Sequence, residues 1–236
     1  GAEAYMLDLV ELLKVHGHEV MLWGPEEALN FDRREGIIAD LKKFGHMIWS
    51  RKEAKRFETA LRQFKPDIIH IHNIYHHISP SILAVATRHK IPVVMTVHDY
   101  HLINPNYILY DHGEICERQG LRAIAHRCIK NSFMATTADV IEWSLHKWMR
   151  VYENNIARYL VPTEFVKGKL VEGGMNGGKI EVVPLPIIPP PPESSPIKGE
   201  EQKGLSPPLM GGGRGGWHAA DYILFAVKRL AISNTR

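Results

Sequence analysis

The sequence predicts an α/β fold, a Rossmann-like parallel sheet with helices on both faces. Three observations carry that prediction. Amphipathic helical stretches alternate with short β-branched runs through residues 1–187, the pattern of a parallel sheet covered by helices. Each helical stretch is closed by Gly or Pro before the next run begins. Two of the runs end in His, Asn or Asp, the polar residues that such a sheet presents at the carboxyl ends of its strands.

The elements follow in order. "AEAYMLDLVELLKVHGHEV" places Met6, Leu9, Val10 and Leu13 on one helical face, stops at Gly17 and runs into a strand around "EVMLW". "RKEAKRFETALRQFKPD" repeats the device, with Ala54, Phe57, Leu61 and Phe64 at helical spacing and Pro66 closing the helix before "DIIHIH". "SPSILAVATRHK" offers Ser79 as N-cap and Pro80 as first helical residue, ahead of the strand "PVVMTV". "IARYLVP" and "KIEVVP" read as two more strands, separated by a helix from about Glu164 to Gly173 and Gly174.

Both ends depart from this regularity. No strand precedes the first helix, so a central strand is expected to be missing. Residues 188–220, "IPPPPESSPIKGEEQKGLSPPLMGGGRGGWHAA", are rich in Pro, Gly, Ser and charge, the composition of a disordered linker. Residues 221–236 hold one strand-like run, "DYILFAVKRLA", which alone cannot make a domain.

Composition excludes several classes. The formal charge is +3 over 236 residues and is spread along the chain, which argues against nucleic acid as the main partner. The sequence carries no apolar run long enough to span a membrane and no basic-then-apolar leader, so a cytoplasmic protein is expected. Trp143, Trp148 and Met149 leave peripheral contact with the inner face of a membrane open, although their spacing favours packing on the sheet.

Two strand ends carry candidate chemistry. In "DIIHIHN", strand alternation puts His70 and His72 on one side, with His72 and Asn73 at the carboxyl end. A His-x-His pair followed by His76 and His77 can ligate a metal, but "HIHNIYHH" supplies no carboxylate. A ligand-facing strand end and a buried structural histidine are the competing readings. "TVHDY" delivers His98 in the same way, with an imidazole able to donate to a sugar hydroxyl or stabilise developing charge. Asp99 either orients His98 or caps the loop. Gly1 before a helix suits a phosphate. Cys116 and Cys128, twelve apart in "CERQGLRAIAHRC", are too few for a zinc site by themselves and are expected as free thiols.

Taken in order, "GAEAYMLDLVELLKVHGHEV", "KPDIIHIHN", "SPSILAVATRHKIPVVMTVHDYHLINPN" and "YLVPTEFVKGKLVEGG" with "KIEVVPLP" resemble the N-terminal domain of retaining glycosyltransferases of family 4, which have the two-domain GT-B architecture. The resemblance implies transfer of a sugar from a nucleotide-sugar donor to a glycan or lipid-linked acceptor. No metal or other cofactor is needed, because helix ends and basic side chains meet the diphosphate charge. It implies that His98 stabilises the transferring glycosyl group, that Gly1 and Arg229 approach the donor diphosphate, and that His72, Asn73, Asp99 and Tyr100 line the acceptor side. It also makes 221–236 the opening strand of a C-terminal domain, with Lys228 where the family has Gly, and the chain inactive by itself. A binding module, or a half-enzyme completed by a separate C-terminal domain, is the alternative. A dehydrogenase is disfavoured, because no G-x-G-x-x-G follows a strand.

Overall fold

The structure, a computed structural model, describes residues 2–25, 36–76, 78–184 and 224–229. The linker expected over 188–220, the candidate Gly1 and His77 lie outside the described residues. In chain order the elements are α1 (Ala2–Val15), β1 (His18–Trp23), α2 (Ile37–Ile48), α3 (Arg51–Phe64), β2 (Ile68–Ile71), α4 (Ser81–Arg88), β3 (Val93–Thr96), β4 (Tyr110–Asp111) and β5 (Glu114–Ile115). There follow α5 (Gly120–His126), α6 (Phe133–Trp148), α7 (Val151–Asn155), β6 (Arg158–Val161), α8 (Glu164–Glu172), a 3₁₀ turn at Gly177–Lys179, β7 (Ile180–Val182) and β8 (Leu224–Arg229).

The expected α/β sandwich is the observed one, with a six-stranded sheet in the order β1-β8-β2-β3-β6-β7. β2, β3, β6 and β7 are parallel neighbours, and β8 runs antiparallel between β1 and β2. Residues 224–229, part of the 221–236 segment read from the sequence as the start of a further domain, contribute a strand to this sheet. Strand propensity specifies an extended, apolar segment but not which sheet it joins, and β1 and β2 offer it two open backbone edges.

Local chemistry explains the helix limits. Ser50 caps α3 by accepting the Glu53 amide at 3.2 Å, and Lys65 ends it in the left-handed region ahead of Pro66. Thr163 caps α8 in the same way through the Val166 amide. At α4 the sequence is misleading by one residue. Pro80 is the N-cap, while Ser79, at φ 64°, turns its hydroxyl to the Ser50 amide at 2.9 Å and to Ser81 Oγ at 2.8 Å.

Phe57 and Leu61 of α3 are buried against Ile69, Ile71, Val93 and Met95 of the sheet in the main core. Met6 and Val10 of α1 close over Val227 of β8 in a smaller cluster. In α6, Trp143 is buried and Met149 just beyond the helix packs against the core, but Trp148 is 81% exposed, so the expected sheet contact fails there.

Candidate functional site

The parallel register Ile71↔Met95 brings the carboxyl ends of β2 and β3 side by side. His72 follows β2 by one residue and His98 follows β3 by two, and His72 Nδ1 meets His98 Nε2 at 2.8 Å. Their rings stack at 5.1 Å between centroids, and His70 stacks on the other face of the array at 4.7 Å from His72. His70 Nε2 in turn bonds Thr96 Oγ1 at 2.7 Å. Tyr5, from the first turn of α1, sets its ring edge-on to both His72 and His98 at 5.9 Å. Nothing in the sequence singled out Tyr5, because only the packing of α1 over the sheet brings it here.

Burial removes water from these imidazoles and disfavours their charged forms. It holds His98 at about 4, His70 at about 3 and His72 at about 2. All three rings are neutral near pH 7, so in the 2.8 Å pair one nitrogen carries the proton and the other accepts it. The array is thus a chain of oriented hydrogen-bonding groups, not a cluster of charges.

The other sequence-predicted residues divide. Asn73 is buried beside His72. The carboxylate of Asp99 accepts the His101 amide at 2.9 Å, as a loop cap does. Tyr100 packs against the main core, with its amide bonded to the Tyr107 carbonyl at 2.8 Å. Arg229 is not brought to the site. β8 is antiparallel and pairs Arg229 with His18, at the amino end of β1, whereas His72 and His98 lie at the carboxyl ends of the parallel strands. The resemblance gave Arg229 to the donor diphosphate as part of the opening strand of a further domain, whereas the backbone of β8 lies in this sheet.

Beneath the loop that starts at His98 lies a second polar group. Glu142 of α6 is fully buried, with His146 Nδ1 at 3.1 Å and His76 Nε2 and His101 Nε2 each at 3.6 Å. His146 also donates from Nε2 to the Ile48 carbonyl at 3.0 Å, tying α2 to α6. Burial alone would raise the Glu142 carboxyl, but the imidazoles of His101, His146 and His76 close around it favour the carboxylate and hold it well below the carboxylate range. His76, His101 and Glu142 could together hold a metal ion. The carboxylate that "HIHNIYHH" lacks arrives from α6, and the i, i+4 spacing of Glu142 and His146 was the available signal.

Further along the same loop a third group gathers Asp111, Cys116, His126 and Cys128, whose donor atoms lie within 4.8 Å of one another. The thiols are not bonded to each other; their sulfurs stand 3.2 Å apart. Burial pushes both up. At Cys116 the Arg118 amide, the Cys128 thiol and the Arg118 guanidinium donate to the sulfur and bring it below the ordinary value, while Cys128 reaches about 12.

Comparison with known proteins bears on what the His72–His98 site does. The family model described as Glycosyltransferase Family 4 matches residues 1–189. A Klebsiella pneumoniae protein, "Uncharacterized 42.6 kDa protein in cps region", is 31% identical over 127 residues, which are 54% of this chain and 29% of that protein. The chain thus spans less than a third of that relative's length. No solved structure matches the chain at a significant level.

Proposed function

Because the chain belongs to glycosyltransferase family 4, we propose that its cleft serves a retaining transfer of a sugar from a nucleotide-sugar donor to a glycan or lipid-linked acceptor. The relative's place in a cps region favours a capsular polysaccharide as the product class. The observation that carries the reading is the hydrogen bond between His72 and His98 at the carboxyl ends of adjacent parallel strands, where ligands of such sheets bind.

In the proposed transfer the anomeric C–O bond to the diphosphate breaks, the acceptor hydroxyl oxygen bonds the anomeric carbon on the same face, and its proton leaves with the diphosphate. A neutral His98 suits this better than a charged one, because an imidazolium would repel the oxocarbenium-like centre. With His72 Nδ1–H donating to His98 Nε2, His98 keeps Nδ1–H as a fixed donor toward a sugar hydroxyl or a developing negative charge. The first turn of α1, marked by Tyr5 beside the pair, brings helix N–H groups toward the same space, as a diphosphate requires. Asn73 completes the acceptor side. Transfer from a nucleotide sugar would take place on the cytoplasmic side, with the exposed Trp148 available to a membrane surface.

One observation favours a second reading. β8 pairs with β1 and β2 in this sheet, which suits an acceptor-binding module. Calorimetry of the purified chain against capsular oligosaccharides and a panel of UDP- and GDP-sugars separates the cases. Oligosaccharide binding lost in His72→Ala, with only weak nucleotide-sugar binding, supports an acceptor-side role. Micromolar nucleotide-sugar binding by this chain would overturn the acceptor-side assignment, and oligosaccharide binding unchanged in both His72→Ala and His98→Ala would remove the cleft from the argument.

A further inference from the structure

We propose that Asp111, Cys116, His126 and Cys128 form a tetrahedral site for a structural zinc ion, separate from the sugar-transfer cleft. Four donors of the types that zinc favours, two sulfurs, an imidazole nitrogen and a carboxylate oxygen, converge from a stretch of the chain that is short in sequence. The backbone is shaped to make them converge. His112 and Gly113, both at positive φ, form the two-residue turn joining β4 to β5. Asp111 adjoins the turn opposite Glu114, and Cys116, its amide bonded to the Leu109 carbonyl at 2.9 Å, lies two residues beyond Glu114, so strand alternation puts both on one face of the hairpin. Arg127, at φ 55°, ends α5 in the left-handed region, so that His126 and Cys128 on either side of it face the same point.

Two of three donor separations fit one ion, and the third, between the sulfurs, needs to open by about half an ångström. Zinc bonds of about 2.3 Å to sulfur and about 2.0–2.1 Å to nitrogen and oxygen, at tetrahedral angles, separate two sulfurs by about 3.8 Å, sulfur and nitrogen by about 3.6 Å and nitrogen and oxygen by about 3.3 Å. The corresponding separations are 3.2 Å for Cys116 Sγ to Cys128 Sγ, 3.7 Å for Cys128 Sγ to His126 Nδ1 and 3.1 Å for His126 Nδ1 to Asp111 Oδ2. The other oxygen of Asp111 is held by His112 Nδ1 at 2.9 Å, the kind of outer contact that orients a ligating carboxylate.

The need for a tie is also visible. The only apolar cluster under this hairpin consists, among the described residues, of Cys116, Ala123, Cys128 and Val140 with Ile124 packed against it, while Ile115 and Leu121 are 76% and 83% exposed. So small a core orders a hairpin poorly, and a metal that binds only the folded arrangement contributes its binding free energy to folding. On binding, the two thiol protons leave to solvent and the thiolates take their place on the ion; no electron moves. The bonded alternative, a Cys116–Cys128 disulfide, would leave Asp111 and His126 without a role in the group.

The test is metal analysis of the full chain, purified under reducing conditions from zinc-supplemented medium, followed by exchange with cobalt(II). Expected are roughly one zinc per chain, a thiolate-to-cobalt charge-transfer band and the d–d absorption of a tetrahedral ion. The band is specific to the cysteines, so metal held by His76, His101 and Glu142 would not produce it. Cys128→Ser and His126→Ala are expected to weaken zinc about a hundredfold or more. Should those variants fail to fold, the cobalt spectrum of the unaltered chain still decides. The site is overturned if reduced chain takes up no zinc while both thiols stay reactive, if the pair only cycles between dithiol and disulfide, or if Cys116→Ser with Cys128→Ser retains zinc in full.

Discussion

His72 Nδ1 and His98 Nε2 meet at 2.8 Å across the ends of two adjacent parallel strands, joining residues that are 26 apart in sequence into one hydrogen-bonded unit. Burial keeps both rings neutral, so a single proton lies between them and fixes the tautomers of the pair. Histidine ¹⁵N NMR should therefore show two neutral rings of defined tautomer that do not titrate between about pH 7 and about pH 5. A ring titrating near its ordinary value would mean that the cleft is wetter and the pair looser than described.

The same depression predicts how stability depends on pH. His70 and His72 bind protons in the unfolded chain below about pH 6.5 but resist them when folded. The unfolded state therefore holds more protons, and stability falls as pH falls from about 6.5 toward the folded values. Between about pH 7 and about pH 5.5 each of the two should cost about 1 kcal/mol. Urea unfolding at both pH values, compared with His70→Asn, checks this; the variant should lose about 1 kcal/mol less over the interval. An equal pH slope in the variant would contradict it.

Glu142 is the charge on which the base of the loop depends, because His76, His101 and His146 all approach its carboxylate. Glu142→Ala leaves these groups buried without their acceptor and should cost about 3–5 kcal/mol, whereas Glu142→Gln keeps an acceptor oxygen and should cost less. The carboxyl titrates well below its unfolded value, so its contribution is present above about pH 4.5 and is lost as pH falls further. Denaturant midpoints of the two variants at neutral pH test the ranking, and equal losses would show that the charge is irrelevant.

What the sequence disclosed and what it concealed follow one physical division. Strand periodicity and helix stops are local, so β1, β2, β3, β6 and β7, and the placing of His72 and His98 at strand ends, could be read directly. Tyr5, Glu142 and the pairing of Asp111 and His126 with the cysteines depend on how separate elements pack, and no local spacing encodes that. Trp148 looked like a core residue by type, but it falls at the last position of α6, where the helix has turned to solvent. The backbone position of Arg229 opposite His18 could not be read in advance, because composition carries no information on strand direction.

Gly173 sits at the close of α8 against the loop that leaves the cleft. A Cβ built there would lie 2.5 Å from both Cβ and Cγ2 of Ile103, while its φ of −73° suits any residue. The constraint is therefore steric and not conformational. Gly173→Ala should destabilise the fold by about 1–3 kcal/mol through overpacking. Because one clashing atom is the Cβ of Ile103 itself, adding Ile103→Ala should not restore stability. Thermal melts of the single and double variants decide, and a rescued double variant would show that the loop can shift away.

β8 makes the strongest claim about the chain as a whole. It hydrogen-bonds β1 on one side and β2 on the other, its Val227 carbonyl accepts the Asp67 amide at 2.9 Å, and Val227 is buried under Met6 and Val10. Residues 224–227 are paired on both edges, so their amides should exchange hydrogen for deuterium at least as slowly as those of residues 18–23 in the edge strand β1. Val227→Asp puts an unpaired charge at a position only 8% exposed. It should accelerate exchange in 224–229 and in β1 together, because among the described residues β1 has no other strand partner in the sheet order. Rapid exchange of 224–229 in the unaltered chain, with 68–71 still protected, would return this segment to the role of an opening strand for a second domain.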